Sequence, residues 1–211
     1  MTDANFAYRY RKGLYLNITN RCPTACAFCI KSSWKMRFRG SDLCLNGREP
    51  SAAEVVAAAE KAYRERAYEE AVFCGFGEPT YRLGDMLAVC QALAERLPQV
   101  RRRLNTVGLG DLICGRRIAP ELAGLLQAVR VSLNSAEPKR WAEIMRPLPE
   151  FRERGFEAAV QFIRDCSALI EDTSVTAVEL PGTELEACRR LAGSLGARFI
   201  ARPYLEAYEE R

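Results

Sequence analysis

The sequence predicts an α/β fold, a partial (β/α)6 TIM-like barrel with parallel strands. Three observations lead there. Short β-branched runs alternate with helical stretches from one end of the chain to the other, and parallel strands need crossovers of that length, right-handed in nearly every case. The 211 residues fall short of the roughly 250 of a closed eight-unit barrel and suit about six of its units. The unusual polar, cysteine and glycine residues also collect just after the strands, where parallel α/β folds build their sites. A doubly wound open sheet has the same periodicity and remains the structural alternative.

The elements follow in order. Strands are read at 14–19 (LYLNIT), 71–74 (AVFC), 101–107 (RRRLNTV), 128–133 (AVRVSL), 174–180 (SVTAVEL) and 197–202 (ARFIAR). Ser51 and Glu54 form a capping box that opens a helix to about Arg66. Leu83–Leu97 keeps an apolar helical period and stops at Pro98. Phe156–Leu169 is a helix after the Pro147/Pro149 break. Thr183 and Glu186 read as a second capping box, with a helix to about Leu195 closed by Gly196. The segment 32–49 is long for a βα loop and carries Trp34 and Met36, which suggests a lid over the open barrel.

Composition sets the outer limits. With 48% apolar and 27% charged residues the chain is expected to form one domain over 1–211, its core at about 14–204. No window approaches ~18 apolar residues, and the first twelve residues lack an apolar signal core. The expectation is a cytoplasmic protein without membrane contact. A net charge of +4 is too mild to argue for nucleic acid by itself. The chain has no histidine, which excludes histidine triads, histidine metal sites and imidazole acid–base chemistry. Nine cysteines spread along the sequence suit a reducing compartment better than a disulfide scaffold.

Only Cys22, Cys26 and Cys29 form a tight cysteine group, in the loop 20–31 after the first strand. Tetrahedral zinc takes four closed ligands. Cys44, fifteen positions after Cys29, is the available fourth. A [4Fe–4S] cluster also usually takes four cysteines, so three leave one iron open to another ligand. Three buried apolar cysteines are the plain alternative. Cys44, Cys74, Cys90, Cys114, Cys166 and Cys188 are scattered one per element and read as small apolar residues. Gly75-Phe76-Gly77-Glu78-Pro79 follows the second strand, Asn105 and Thr106 end the third, and Ser132 and Asn134 end the fourth. Gly75 and Gly77 also fit an ordinary tight turn, and Asn105 and Asn134 also fit helix caps or turns.

At these residues the chain resembles the radical SAM superfamily. The resemblance rests on Cys22, Cys26, Phe28 and Cys29 after the first strand and on Gly75–Pro79 after the second, and it runs from about Leu14 to Tyr204. Five stretches (LYLNITNRCPTACAFCIKS, GFGEPT, RLNTVGLGDLICGR, VTAVELPGTELEACR and FIARPY) look more narrowly like small radical SAM proteins associated with TatD-type hydrolases.

The resemblance implies one [4Fe–4S] cluster on Cys22, Cys26 and Cys29, with S-adenosylmethionine on the open iron. It implies reductive cleavage to a 5′-deoxyadenosyl radical that abstracts hydrogen from a substrate. Phe28 would lie against the adenine, and the backbone at Gly75, Phe76 and Gly77 would approach the methionine moiety. Glu78 would help secure the ammonium. Asn105, Thr106, Ser132 and Asn134 would contact ribose or carboxylate, and the backbone at Val178–Leu180 would meet the adenine edge. An electron donor such as flavodoxin or ferredoxin and a functional link to a TatD-type hydrolase are implied partners. Glycyl-radical activases share the cysteine spacing but usually place glycine where this chain has Arg21.

From Ala4 to Ser41 there is no acidic residue against eight basic ones, Arg9, Arg11, Lys12, Arg21, Lys31, Lys35, Arg37 and Arg39. That charge is expected to attract an anionic substrate, a phosphate or carboxylate compound. Arg202 and Tyr204 are further substrate-side candidates, while Arg101–Arg103 are expected at the far rim. The alternatives to this enzyme are an activase that makes a radical on a partner protein, a zinc-stabilised non-catalytic α/β binding module, and a nucleic-acid binder.

Overall fold

A computed structural model describes residues 6–204. In chain order it holds β1 (Ala7–Tyr10), β2 (Gly13–Leu16), α1 (Ile30–Ser33), β3 (Arg37–Phe38), β4 (Ser41–Asp42), α2 (Ala52–Glu65) and β5 (Glu70–Phe73). A 3₁₀ turn (Pro79–Arg82) follows, then α3 (Leu83–Arg96), β6 (Arg101–Thr106), α4 (Gly110–Cys114), α5 (Ala119–Leu122) and β7 (Ala128–Ser132). The remainder is α6 (Pro138–Met145), α7 (Pro149–Arg152), α8 (Gly155–Leu169), β8 (Asp172–Val178), α9 (Leu185–Ser194) and β9 (Arg198–Arg202).

The main sheet has the order β1-β2-β5-β6-β7-β8-β9. All neighbours from β2 to β9 are parallel, and β1 alone runs antiparallel, against β2. The six parallel strands advance one neighbour at a time in a single direction, which is how an open barrel is wound rather than a doubly wound sheet. The fold is therefore a mixed α/β partial barrel.

Alternate residues of the strands face two different environments, because a pleated strand has period two. Leu14, Leu16, Ala71, Phe73, Leu104, Val129, Val131 and Val175 join the core that packs under the helices. Helices α2, α3 and α8 supply Val55, Val56, Ala59, Met86, Val89, Leu93, Phe162 and Ile163 to the same core. Each large side chain fully buried there contributes about 1.5–3 kcal/mol. The other parity carries Tyr15, Glu70, Cys74, Arg103, Asn105, Arg130, Ser132, Ser174, Thr176 and Arg202, and forms the polar inner face.

The Ser51–Glu54 capping box forms as the sequence predicts, with Ser51 Oγ accepting from the Glu54 amide at 3.3 Å. Several expectations are corrected. The first parallel strand ends at Leu16, short of the expected Thr19, because Asn17 turns its amide to the Leu43 carbonyl and the Phe76 amide. Strand β1 was not predicted, since its turn at Arg11-Lys12 places Arg11 at φ 52° with none of the usual Gly or Asn signals. Glu184 rather than Thr183 stands at the start of α9, and no side chain caps that helix. The segment 32–49 contains the end of α1 and the β3–β4 hairpin, and Trp34, Phe38 and Leu43 are buried with Tyr8 and Phe76. It packs as an aromatic flap against the β1–β2 edge.

Candidate active site

The loop after β2 carries all three clustered cysteines, partly buried and all free thiols. Thr24 stands between two of them: its Oγ1 is 3.5 Å from Cys22 Sγ and 3.3 Å from Cys26 Sγ. Cys26 Sγ also lies 3.8 Å from Met145 Sδ. The loop's conformation is fixed by backbone bonds to the segment after α6. The Ala25 amide donates to the Arg146 carbonyl (3.0 Å), Ala27 to Ile144 (2.8 Å) and Leu148 to Pro23 (2.9 Å), around a bridge between Thr24 and Pro147.

Burial raises the Cys22 thiol above its ordinary range and pushes Cys26 up to about 12, against the opposing Thr24 hydrogen bonds. A buried thiolate here calls for positive charge alongside it, which iron would supply. Among the described residues no three His, Cys, Asp or Glu donors converge on a point that one ion could occupy. Thiolates that each take a different iron of a cluster need not converge on one point.

The GFGEPT turn is pressed onto the start of the cysteine loop. A Cβ on Gly77 would overlap the Thr19 carbonyl oxygen and stand 2.8 Å from that of Arg21, and one on Gly75 would stand 2.6 Å from Asn17 Cβ. Neither glycine has a left-handed φ; Gly77 is required by close approach of the Thr19 and Arg21 backbone, and Gly75 by the Asn17 side chain. The Glu78 amide donates to the Arg21 carbonyl at 2.7 Å, so the two motifs touch directly. Phe76 sits in the aromatic flap cluster, its amide on Asn17 Oδ1 at 3.1 Å.

Glu78 is buried, and its carboxylate is taken up by the chain. Oε1 accepts from the Thr80 amide (3.2 Å), Thr80 Oγ1 (2.8 Å) and Thr106 Oγ1 (2.8 Å), and Oε2 from the Val107 amide (2.8 Å). Burial raises its ionisation above the ordinary carboxylate range, the four donors opposing. In this arrangement Glu78 and Thr106 brace the ends of β5 and β6 against each other.

The remaining expected residues fall along the same rim. Asn105 accepts from Arg103 Nη1 at 2.9 Å and stands beside the Cys74 thiol. Asn134 adopts φ 65°. Its amide donates to Ser132 Oγ and to Met145 Sδ, each at 3.1 Å, while its Oδ1 accepts from the Val178 amide at 2.9 Å. The Leu180 amide is bonded to the Val178 carbonyl at 2.8 Å. Phe28 lies half-buried against the core. Asn134, Met145 and Cys26 thus form a continuous line from β7 to the cysteine loop.

The basic N-terminal run divides: Lys31 lies close enough to Cys22 to act on its thiol, while other members lie away from the loop or are paired. The Arg11-Lys12 turn lies at the opposite rim, and Lys12 pairs with Glu69 at 2.9 Å. Arg9 donates to the carbonyls of Ala62 and Arg66, and Arg21 pairs with Glu49 at 3.1 Å. Arg101 and Arg102 conform to the far-rim expectation, bonded to Asp172 and to the Leu125 carbonyl. Arg103 also lies toward the start of the strands but points inward and is buried, with Nη2 3.1 Å from Glu70 Oε2 and 3.3 Å from the Tyr15 hydroxyl. Arg202 donates to Ser132 Oγ at 3.0 Å and faces Cys26 and Cys74. Tyr204 is exposed.

Several residues escaped the sequence reading. Thr24 and Met145 carry no signal of their own. Asn17 and Asn20 follow β2, and Asn20 accepts from the Leu45 amide at 2.7 Å to tie down the flap. Glu49 gathers Thr19, Arg21 and Arg82. Arg130 was visible as a charge inside the otherwise apolar strand AVRVS, the pattern of a strand with one polar, enclosed face.

Fold and site together define an enzyme-like α/β half-barrel whose strand ends bring a three-cysteine loop against a glycine-rich turn. A family model described as the radical SAM superfamily matches residues 16–194, and the chain belongs to that family, whose members normally bind a [4Fe–4S] cluster and S-adenosylmethionine. A radical SAM methyltransferase from Sphaerobacter thermophilus has the same fold, with a TM-score of 0.64 and 16% identity over 93% of this chain and 68% of that one. The FeFe-hydrogenase maturase HydG of Carboxydothermus hydrogenoformans gives 0.64 and 18% identity over 93% of this chain and 44% of its own. A probable RNA methyltransferase of Aromatoleum aromaticum is 28% identical over 141 residues, 66% of this chain and 36% of that protein. The chain spans about a third of the length of this curated relative. No helix among the described residues is long and apolar enough to cross a membrane.

Proposed function

We propose that this chain is a radical SAM enzyme in which Cys22, Cys26 and Cys29 hold one [4Fe–4S] cluster and leave one iron for S-adenosylmethionine. The observation that carries the reading is the direct backbone contact between the cysteine loop and the Gly75–Pro79 turn. When bound, cluster and S-adenosylmethionine supply one-electron chemistry, cleavage of the sulfonium to a 5′-deoxyadenosyl radical that takes hydrogen from a substrate.

The chain's own residues position and enclose. Thr24 holds two thiols on one side of the loop, and the Ile144–Leu148 segment fixes its backbone. Glu78, Thr80 and Thr106 set the spacing of the β5 and β6 ends, while Asn134 links β7 to β8. The aromatic flap covers the β1–β2 edge and keeps water from that side. None of these tasks needs an imidazole.

The finer assignments belong to the same proposal. They are kinship with the TatD-associated radical SAM proteins, a low-potential donor such as flavodoxin or ferredoxin, and a cytoplasmic setting. Anaerobic reconstitution with iron and sulfide, followed by dithionite and S-adenosylmethionine, is expected to yield 5′-deoxyadenosine, with more than a hundredfold less from Cys26→Ala. Equal product from that variant contradicts the cysteine assignment. S-adenosylhomocysteine in place of 5′-deoxyadenosine would assign methyl transfer, the activity in the names of two of the similar proteins.

A further inference from the structure

The inner face of the sheet is charged out of balance. Besides Arg101 and Arg198, both exposed, it carries three more guanidinium groups, Arg103, Arg130 and Arg202, at inward positions on β6, β7 and β9. Two carboxylates share this face, Glu70, committed to Arg103 at 3.1 Å, and Asp172, committed to Arg101 and Arg198, and both also reach Arg130 with a weaker attraction. Among the described residues neither Arg130 nor Arg202 has an ion-pair partner. Arg130 stands beside Ser174 in the β7–β8 register and close enough to Arg103 for the two charges to repel.

Two polar atoms of this face are buried with no hydrogen-bond partner, Arg103 Nε on β6 and Ser174 Oγ on β8, on residues 3% and 0% exposed. Buried donors left unmade cost free energy, and like charges on adjacent strands add to that cost. Strain of this kind concentrates where a ligand repays it. The group that would satisfy an unpaired guanidinium and the free hydroxyl in register beside it is an oxyanion, which guanidinium forks bind with two parallel hydrogen bonds.

We propose that Arg130 and Ser174, with Arg103 beside them, form an oxyanion subsite on the inner face that anchors a carboxylate or phosphate group of the substrate. The inference rests on the radical SAM reading and names its substrate class. It moves the expected anion attraction from the N-terminal basic run to the sheet. Arg130 lies two residues before Ser132 on β7, so the anchored group enters first and leaves the rest of the substrate toward the cysteine rim.

Equilibrium dialysis of the cluster-loaded chain against inorganic phosphate, at constant ionic strength and without oxygen, tests this. One site per chain is expected, at least tenfold weaker in Arg130→Gln and within about threefold of wild type in Arg130→Lys. Displacement of phosphate by malonate identifies a carboxylate ligand, and failure to displace it identifies phosphate. Since Arg130→Gln removes a repulsion, its melting temperature is expected to equal or exceed that of wild type. No phosphate site in wild type, equal affinity in Arg130→Gln, or a melting point lowered by more than about 5 °C overturns the proposal. The substrate-free cleavage of S-adenosylmethionine is expected to stay within twofold in Arg130→Gln. A parallel fall in that reaction would assign the guanidinium to S-adenosylmethionine and also overturn it. Absence of cleavage in every form, with the phosphate site intact, would fault the radical SAM reading and leave the anion site standing.

Discussion

The two faces of the seven-stranded sheet are made from alternate residues of the same strands, yet they obey opposite rules. On the convex face Phe73, Leu104, Val129 and Val175 are sealed under helices. On the concave face Arg130 and Arg202 have no ion-pair partner among the described residues, and Arg103 Nε and Ser174 Oγ are buried and unbonded. The convex face lowers the free energy of folding, while the concave face gives part of it up. The difference separates residues kept for the fold from residues kept for chemistry.

The largest break in this comparison is expected from Trp141→Ala. Trp141 is fully buried on α6, against Phe156 and beneath Gly155, and its loss is expected to cost about 3–5 kcal/mol in urea unfolding. Because the carbonyls of Ile144 and Arg146 at the end of α6 hold the cysteine loop, iron content is expected to fall as well. A variant that loses stability but keeps full iron would uncouple α6 from the loop.

Gly77→Ala sharpens the contact between the two motifs. The new methyl collides with backbone at Thr19 and Arg21, and a loss of about 2–3 kcal/mol is expected together with weakened iron loading. Gly84→Ala is the matched control. That glycine lies in α3 with open space around it, so alanine is expected to stabilise by about 0.5–1 kcal/mol. Both are read from denaturant midpoints and iron analysis.

The smallest effect distinguishes two carboxylates on the two sides of the cysteine loop. Burial opposes ionisation of Glu49, but Thr19, Arg21 and Arg82 prevail and hold it below the ordinary carboxylate range. Its stabilisation is therefore complete above that range and is lost as pH falls through the folded value. Glu78 is shifted the other way, so stability from that site rises as pH falls through its raised value. Glu49→Gln is expected to flatten the acid side of a stability–pH curve measured between about pH 3 and 6. An unchanged curve would show that the Glu49 pairs contribute nothing.

The periodic parts of the fold were legible before the structure. Six parallel strands and helices α2, α3 and α8 follow from apolar period and from Pro and Gly stops, and the capping box at Ser51 marks a helix start that forms. The pieces that escaped are short. Strand β1 has a turn without glycine, β3 and β4 have two residues each, and α6 begins at Pro138 in a stretch of mixed polarity. The Thr183 cap failed because the chain bonds through backbone there instead, with the Leu185 amide on the Thr183 carbonyl at 3.0 Å.

The site was legible where chemistry requires residues close in sequence, as in Cys22–Cys29 and Gly75–Glu78. It was not legible where distant segments meet. Nothing near Thr24 in the sequence announces Met145, and nothing in the basic run announces that Arg9 and Lys12 are bonded away from the loop while Lys31 stays near Cys22. Arg103 was placed toward the far rim, where Glu70 and Ala128 start their strands, but its inward face was not read.

Low-temperature electron paramagnetic resonance of the dithionite-reduced, reconstituted chain, with and without S-adenosylmethionine, bears most directly on the three-thiol site. A reduced-cluster signal whose g values move on addition of S-adenosylmethionine is expected, because an iron without a protein thiolate takes the added ligand. A signal that is absent, or that S-adenosylmethionine leaves untouched, would contradict the account.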